Sequence, residues 1–322
     1  MKNLVWAVLT FFAASAFGQG SIVTATLVSG GASSVYYGAQ SFQNAYDASA
    51  AGDEIYLSPG VFGGITIAKP IRVVGAGGWG DNVTKITVLS LKIASDTMTI
   101  EGVTTSYIAV GQVGNASGKI RIYRCNIKGM LTHDISGQDN ILEIINSNVD
   151  SLRCYRDYGN VFAASKIFVF NSIIAENGTD MSDGGEYLIQ NSIIKEVKNS
   201  YLKNALVKNS VLFSNGDIDK SALGIYNTII AVSGKINEGA PNGDNWEGVD
   251  LSSVFVNYAS GDYHLQDSTA YIGTDGTQIG IYGGEYPWNT NPTNPRITAK
   301  KIANKVTDDD KLSVEITVEV EP

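Results

Sequence analysis

The sequence has few of the residues that crosslink small proteins or bind metals. It contains two cysteines, Cys125 and Cys154, and two histidines among 322 residues. A disulfide-rich scaffold needs many more cysteines, and neither residue type has the spacing of a metal motif. One disulfide between Cys125 and Cys154 and two buried free thiols are both compatible with the pair.

Charge is also scarce, and basic charge especially. Charged residues make up 17% of the chain, with 23 Lys and Arg against 32 Asp and Glu. Without Lys2, which lies in a predicted leader, 22 basic against 32 acidic residues leave a net charge of −10. Such a surface disfavours nucleic acid and anionic lipid as partners. An acidic polysaccharide would be repelled unless cations or a local basic patch intervened.

Long apolar runs are missing after the N-terminus. Lys2, the apolar residues 4–12 and the small residues near Ala16 predict a secretory signal peptide over residues 1–18. No later stretch approaches membrane-spanning length. We therefore expect an exported protein without a membrane span, located outside the cell, in a periplasm or at the cell surface.

Glycine is abundant, with 35 residues against 7 prolines. The sequence also contains a short repeated motif. Five copies read as an apolar β-rich run, an asparagine, Ser or Thr, and a second apolar run. The asparagines, spaced 25, 20, 18 and 18 residues apart, are Asn146, Asn171, Asn191, Asn209 and Asn227. Arg124 occupies the same place in an earlier, degenerate copy.

A spacing near 20 residues is too short for a strand–helix–strand unit. A chain that coils once per repeat explains it, because each strand then pairs in parallel with its equivalent one turn later. The pattern predicts an all-β fold, a right-handed parallel β-helix (solenoid). Asn tolerates the left-handed backbone of a sharp corner, and stacked Asn amides are expected to form a ladder along the axis.

Both ends of a solenoid need caps. Residues 41–48 predict a short amphipathic helix with Ser41 as its N-cap. Near the C-terminus, alternating apolar residues over 312–320 predict a strand that pairs with 296–306. The predicted organisation is therefore a signal peptide (1–18), a solenoid domain with its cap (19–285), and a linker with a C-terminal hairpin (286–322).

Residues 41–75 combine a helix, a Gly-Asp-x-Ile strand, a Pro-Gly turn and an Ile-x-Ile…Val-Val-Gly strand pair. This segment resembles the opening of the pectate-lyase-like superfamily of right-handed β-helix proteins. Residues 255–283 resemble the closing coils of exported bacterial members. The resemblance covers roughly residues 40–285 and implies the fold, whereas catalytic, binding and structural members share this scaffold.

Polar residues recur eight to twelve positions after five of these corner residues, which predicts a polar stripe along one side of the coil. Its members are His133, Asp134, Arg156, Asp157, Asp180, Asp183, Tyr201, Lys203, Asp217, Asp219 and Lys220. The superfamily resemblance implies a substrate groove in this region. Periodic turns also generate such a stripe without any chemistry.

Two kinds of chemistry fit the stripe. As the resemblance to lyases implies, Asp157, Asp180 and Asp183 would bind Ca²⁺, with Arg153, Arg156 or Lys220 as the base. Alternatively, two of the carboxylates would act as acid and base in glycoside hydrolysis. The predicted catalytic set is Arg156, Asp157, Asp180 and Lys220, and the predicted metal ligands are Asp157, Asp180 and Asp183.

The sequence favours an exported protein that binds or acts on a polysaccharide or cell-surface glycan through this groove. Tyr155, Tyr158, Tyr187 and Tyr201 are candidates for stacking on sugar rings. The alternative is a non-catalytic extracellular solenoid with a structural or adhesive role. Enzymatic activity and oligomeric state are left open.

Overall fold

The structure is a computed structural model that is rich in β-strand. Strands make up 52% of it and helices 7%, which excludes a helical or α/β architecture. It describes residues 22–93, 95–112, 117–133, 140–154, 166–178, 185–197, 202, 204–213, 222–236, 241–291, 296–302 and 314–319.

The described elements fall into an N-terminal cap, a series of coils and a C-terminal region. The cap comprises β1 (Thr24–Ser29), β2 (Ala32–Tyr37) and α1 (Ser41–Ala48). The coil strands are β3 (Glu54–Leu57), β4 (Gly60–Phe62), β5 (Ile65–Ile67), β6 (Arg72–Val74), β7 (Thr84–Ile86), β8 (Leu89–Ile93), β9 (Thr97–Glu101), β10 (Val103–Gln112), β11 (Lys119–Tyr123), β12 (Asn126–His133), β13 (Ile141–Ile145), β14 (Asn148–Cys154), β15 (Lys166–Phe170), β16 (Ile173–Asn177), β17 (Glu186–Gln190), β18 (Ile193–Val197), β19 (Ala205–Lys208), β20 (Val211–Leu212), β21 (Gly224–Tyr226), β22 (Ile229–Ile230), β23 (Asn242–Gly243) and β24 (Trp246–Glu247). The C-terminal elements are α2 (Leu251–Val254), β25 (Phe255–Asn257), a 3₁₀ turn (Tyr258–Ser260), β26 (Asp262–Leu265), β27 (Arg296–Ile302) and β28 (Val314–Glu319).

The coil strands form two sheets that the chain visits in alternation. The first sheet has the order β2-β1-β3-β6-β9-β11-β13-β15-β17-β19-β21-β23. The second runs β24-β22-β20-β18-β16-β14-β12-β10-β7-β4, with β8 beside β10 and β5 beside β8. Successive coil strands within each sheet are parallel, as in β11–β13 and β12–β14. The predicted parallel β-solenoid is confirmed, with about seven turns.

Left-handed corners separate the two sheets. The corner residues, with φ between 45° and 62°, are Gly102, Arg124, Asn146, Asn171, Asn191, Asn209, Asn227 and Asp244. Glycine and asparagine adopt this conformation at lower cost than most residues. The eight corners bound seven regular turns, so the predicted left-handed corner role of the asparagines is confirmed.

Side chains facing the interior stack in register from turn to turn. One such column is fully buried and runs through Ile100, Ile122, Ile144, Val169, Ile189, Val207 and Ile225. Strands alternate inward and outward side chains, and every inward position here is aliphatic. This column forms part of the main core.

The N-terminal cap differs from the prediction in two respects. The strands β1 and β2 form an antiparallel hairpin that the sequence pattern did not predict, and β1 also pairs with β3. The helix α1 begins at Ser41, preceded by Gln40, and no side chain caps it. The N-cap prediction for Ser41 is therefore wrong, and its buried hydroxyl has no hydrogen-bond partner in the part of the chain that the structure describes.

The expected closing coils over residues 255–283 are also wrong. After Glu247 the chain leaves the coil path, and β25 and β26 pair antiparallel with each other. This region packs against the outside of the second sheet and builds a second core. Its members are Ile173, Ile193, Val211, Ile229, Leu251, Val254, Phe255, Tyr263, Ile279 and Ile281.

The C-terminal hairpin is confirmed as a pairing. The strands β27 and β28 are antiparallel, with Arg296 opposite Glu319. The side chains that would show which face of this hairpin packs on the solenoid lie outside the described part of the structure. Among the helices in the described part of the chain, none combines the length and apolar character needed to cross a bilayer.

Candidate functional site: two aromatic clefts beside Trp288

The residues predicted from the polar stripe fall largely outside the described part of the chain. This applies to Arg156, Asp157, Asp180, Asp183 and Lys220, and also to Asp134, Tyr155, Tyr158, Tyr201, Lys203, Asp217 and Asp219. Each of them lies between a strand of the second sheet and the next strand of the first sheet. Their grouping into one site stays a prediction.

Arg153, the one alternative base that is described, is held by a carboxylate. Its Nη2 lies 2.6 Å from Glu176 Oε1, and its Nε donates to Ser151 Oγ at 3.1 Å. A guanidinium does not lose its proton under ordinary conditions, and this ion pair favours the charged form further. Arg153 is better suited to fixing adjacent turns than to abstracting a proton.

The structure also places Tyr187 and the two histidines of the chain, His133 and His264. Tyr187 is fully buried, and its hydroxyl donates to Asn177 Oδ1 at 2.9 Å. The proposed sugar-stacking role of Tyr187 is therefore wrong. His264 is a surface residue with Nδ1 2.7 Å from Asp262 Oδ1, and its ring stacks on Tyr282 at 3.9 Å. His133 ends β12, where its backbone pairs with Cys154.

Cys125 is a free and fully buried thiol. It immediately precedes β12, whereas Cys154 ends β14, so the two lie roughly 20 Å apart along the strand direction. The disulfide alternative is therefore wrong. The sulfur lies 3.5 Å from the Ile100 carbonyl oxygen and 3.3 Å from that of Tyr123. Burial raises the pKa of the thiol to about 12, so it is chemically inert.

The ladder along the axis is made by hydroxyls instead of the expected Asn amides. The Ser or Thr after each of the five asparagine corners offers its side-chain oxygen to the backbone N–H one turn earlier. Thus Ser147 Oγ accepts from Cys125 N, Ser172 Oγ from Ser147 N, Ser192 Oγ from Ser172 N, Ser210 Oγ from Ser192 N, and Thr228 Oγ1 from Ser210 N, at 3.1–3.5 Å. Ser and Thr follow the corner because each supplies this acceptor.

The corner side chains instead bind a C-terminal segment, residues 273–291, which we call the strap. Asn209 Oδ1 accepts from the Thr274 backbone N–H at 3.0 Å. Asn171 Nδ2 donates to the carbonyl oxygens of Ile281 and Gly283. Arg124 Nη1 donates to the Asn291 carbonyl oxygen. The strap therefore runs along the row of corners, back toward the N-terminal turns.

Not every polar atom under the strap is satisfied. Several buried polar atoms find no hydrogen-bond partner among the described residues. They are Asn146 Oδ1, both side-chain polar atoms of Asn191, Asn209 Nδ2 and Arg124 Nε. An unpaired buried polar atom costs about 1–3 kcal/mol. The strap is therefore held by a few good hydrogen bonds beside several unsatisfied groups.

Where the strap crosses the earlier corners it leaves an open cleft of about 540 Å³, the corner cleft. Its lining residues are Tyr123, Arg124, Asn146, Glu285, Tyr286, Pro287, Trp288, Asn289 and Asn291. The Tyr286 ring lies 5.9 Å from that of Phe170. Aromatic walls beside a few polar groups are the usual composition of a small-molecule site.

Charges next to the corner cleft are largely paired with one another. Glu143 accepts from Lys119 Nζ and from Arg121 Nε, each at 2.8 Å. Burial by itself raises the pKa of Glu143, but the hydrogen bonds from Lys119 and Arg121 outweigh it and lower the pKa overall. The pKa of Tyr286 is raised, chiefly by burial and next by the hydrogen bond with Glu285.

A second cleft of about 380 Å³, the tryptophan cleft, lies on the other side of Trp288. Its lining residues are Trp79, Asn148, Ile173, Lys195, Gly261, Tyr263, Ile281, Tyr282, Trp288 and Thr290. The rings of Trp79 and Trp288 meet edge to face, with centroids 5.8 Å apart. Lys195 Nζ lies 5.5 Å from the centre of the Tyr263 ring. Trp288 therefore contributes to both clefts.

Sequence reasoning did not select these residues, because it treated 287–295 as a linker. The signal that could have found them is the pair of aromatics Tyr286 and Trp288 within a segment rich in Pro, Asn and Thr. A flexible linker has little use for large aromatic side chains.

Within the part of the chain that is described, no group of three His, Cys, Asp or Glu side chains is placed to hold a metal ion.

Comparison with known proteins identifies no relative of this chain. No protein-family model matches the sequence, and neither a curated protein nor a solved structure gives a significant match. The class that the fold defines is a parallel β-solenoid.

Proposed function

We propose that this protein is an exported, glycan-binding β-solenoid of the pectate-lyase-like kind, whose ligand lies in the clefts beside Trp288. The observation that carries the proposal is the corner cleft, with Tyr123, Tyr286 and Trp288 beside the polar Arg124 and Asn146. Aromatic rings offer flat apolar faces that suit the C–H faces of sugar rings. Amide, guanidinium and carboxylate groups beside them suit sugar hydroxyls.

The two clefts together favour an extended ligand. They share Trp288, so a chain of sugars would pass from one cleft to the other across that ring. The net charge of the molecule is negative, Lys119 and Arg121 are paired with Glu143, and the Arg124 guanidinium donates to the Asn291 carbonyl oxygen. Neutral glycans are therefore expected to bind without a bridging cation, and acidic glycans only with one.

Binding is tested with a panel of neutral and acidic polysaccharides by affinity electrophoresis, followed by calorimetry on the best ligand. Tyr286→Ala should weaken binding at least tenfold, because it removes one aromatic wall of the corner cleft. Tyr271→Ala is the matched control, since Tyr271 is also partly buried but packs on Trp246 outside both clefts. Equal losses in the two variants would contradict the proposed site.

Catalysis within this proposal rests on the polar stripe. If the protein cleaves its ligand, Arg156, Asp157, Asp180 and Lys220 are the residues we expect to act, as in a lyase or a glycoside hydrolase. A lyase would generate an unsaturated sugar that absorbs ultraviolet light, whereas a hydrolase would release reducing ends only. Loss of cleavage in Asp180→Asn, with glycan binding kept, would separate chemistry from recognition.

Calcium is the cofactor proposed for the same stripe. Carboxylates brought close together are tolerated when a cation compensates them. Added Ca²⁺ should then raise the melting temperature of the wild type, and the double change Asp180→Ala with Asp183→Ala should abolish the rise. No rise in the wild type would remove the calcium site from the proposal.

The alternative, a structural or adhesive solenoid, is favoured by one observation. Outward charges on the first sheet pair with one another along the coil, as in Glu54–Arg72–Glu101 and Lys166–Glu186. A face whose charges are internally compensated stabilises a rod without needing a ligand. Absence of binding and cleavage across the whole glycan panel would favour this reading.

A further inference from the structure

The strand β2 ends the first sheet, and its outer edge is free of the usual protection. Among the described residues, β2 pairs only with β1, over six consecutive residue pairs without a bulge. Edge strands are normally protected from further pairing by charges, prolines, bulges or short length. The sequence of β2, Ala-Ser-Ser-Val-Tyr-Tyr, has none of these features. At the opposite edge of the same sheet, β23 is only two residues long.

The hydrogen-bonding groups on this edge can be assigned from the register. Gly38 N donates to Val23 O, so Val23 and Gly38 form a hydrogen-bonded pair and every second pair along the hairpin does the same. In the intervening pairs, the β2 residues direct N–H and C=O away from β1. These residues are Ser33, Val35 and Tyr37. On the other side of β1, the Thr24 carbonyl oxygen accepts from the Ser58 backbone N–H. This fits the alternation, because Thr24 belongs to a pair whose backbone groups point away from β2.

Two of the three large side chains on β2 are exposed, and so is a large apolar side chain nearby. Val35 is 46% exposed, Tyr37 is 70% exposed, and the nearby Ile22 is 70% exposed. Residues 3–46 contain no Asp, Glu, Lys or Arg, although the chain carries a formal net charge of −9. Two copies of an acidic protein therefore meet least repulsion when they approach each other by this end.

We propose that two copies of the chain join by antiparallel pairing of β2 with β2 of the second copy. The strand is self-complementary about Val35: a two-fold axis there places Val35 opposite its copy and each Tyr37 opposite the small Ser33. On the other face, each Tyr36 meets Ser34. The outward groups would form about six hydrogen bonds between the copies. The interface is isologous and closed, so it yields a dimer with the two solenoids end to end.

Light scattering coupled to size-exclusion chromatography, from about 1 to 100 µM, tests this on the chain that begins after the predicted signal peptide. The wild type should be a dimer with a maximum dimension in X-ray scattering close to twice that of the monomer. Val35→Lys places two ammonium groups face to face and should weaken dimerisation about 100-fold or more. Val256→Lys, an equal change at another exposed valine on β25, should leave the dimer intact.

Val35→Pro is the second variant, because it removes an N–H that β1 does not use. Dissociation with an unchanged circular dichroism spectrum would support backbone pairing at this edge. If Val35→Pro fails to fold, Val35→Lys decides the matter. A wild type that stays monomeric at 100 µM would overturn the proposal. It would mean that the edge of β2 is covered by residues before Ile22 or by water. A dimer that survives Val35→Lys would overturn the proposal as well. Neither result bears on glycan binding.

Discussion

At the residue scale, the molecule depends on small side chains that satisfy the backbone at each corner. The hydroxyl of each corner Ser or Thr accepts from the backbone one turn earlier and donates to a carbonyl two residues before it, as Ser192 Oγ does with Gln190 O. Cys125 occupies the same position in its turn, with its sulfur against the equivalent carbonyls. Cysteine therefore stands here in place of a serine.

This equivalence predicts the outcome of two substitutions. Cys125→Ser should change the free energy of unfolding by less than about 1 kcal/mol, because serine fits every neighbouring turn. Ser192→Val matches Ser192→Thr in shape but leaves the Ser172 N–H without an acceptor, so it should be about 1–3 kcal/mol less stable than Ser192→Thr. Urea denaturation followed by circular dichroism measures both. Equal stability of Ser192→Val and Ser192→Thr would contradict the ladder.

The raised pKa of Cys125 makes a prediction about thiol reactivity. With a pKa of about 12 the folded protein contains almost no Cys125 thiolate at pH 8. In a Cys154→Ser background, a disulfide-exchange reagent should react only after urea unfolds the chain. Rapid labelling of the native protein at pH 8 would show that the thiol is accessible and would contradict its burial.

At the element scale, the strap is the least regular part of the described chain and the one on which the clefts depend. Asn171→Gly keeps the left-handed corner but removes the amide that holds two strap carbonyls. Asn227→Gly is the matched control, because Asn227 has the same backbone conformation at another corner. Hydrogen exchange within residues 273–291 should accelerate in the first variant and stay unchanged in the second. Equal exchange in both variants would mean that the corner amide does not anchor the strap.

The ion pairs on the first sheet predict a pH dependence. The pKa of Glu143 is lowered in the folded state, so its charged form stabilises the fold above the pKa of the unfolded chain. That stability is lost as pH falls through the lower folded-state value. Glu143→Gln should therefore melt below the wild type at pH 7, and the gap should narrow toward pH 3. A gap that does not depend on pH would contradict this ion pair.

The motif Asn-Ser-Ile-Ile shows which part of the fold the sequence could predict, the corner, and which part it could not, the segment that covers the second sheet. The asparagine and serine predicted the corner because few residues adopt a left-handed bend. Of the two isoleucines, Ile174 faces the main core, whereas Ile173 faces outward into the second core. Two consecutive apolar residues indicate that both faces of the sheet are covered. The covering segment itself could not be predicted, because residues 248–291 have no period and fold through Asp and Gly turns.

At the scale of the whole molecule, the C-terminal region protects the outer apolar face of the second sheet. Truncation after Glu247 should expose Ile173, Ile193, Val211 and Ile229 and cause aggregation. Truncation after Asn291 keeps this region and should remain soluble with its clefts intact. If the hairpin caps an apolar surface, as the alternation over residues 312–320 predicts, the second truncation will also lower the melting temperature. Light scattering and thermal melts distinguish these results.

The central claim is that a glycan binds beside Trp288, and its most direct test is a crystal structure soaked with Ca²⁺ and the best-binding oligosaccharide. The account predicts sugar rings against Trp288 and Tyr286, in the corner cleft or across into the tryptophan cleft. An oligosaccharide bound only along the polar stripe, with both clefts free of sugar, would contradict it.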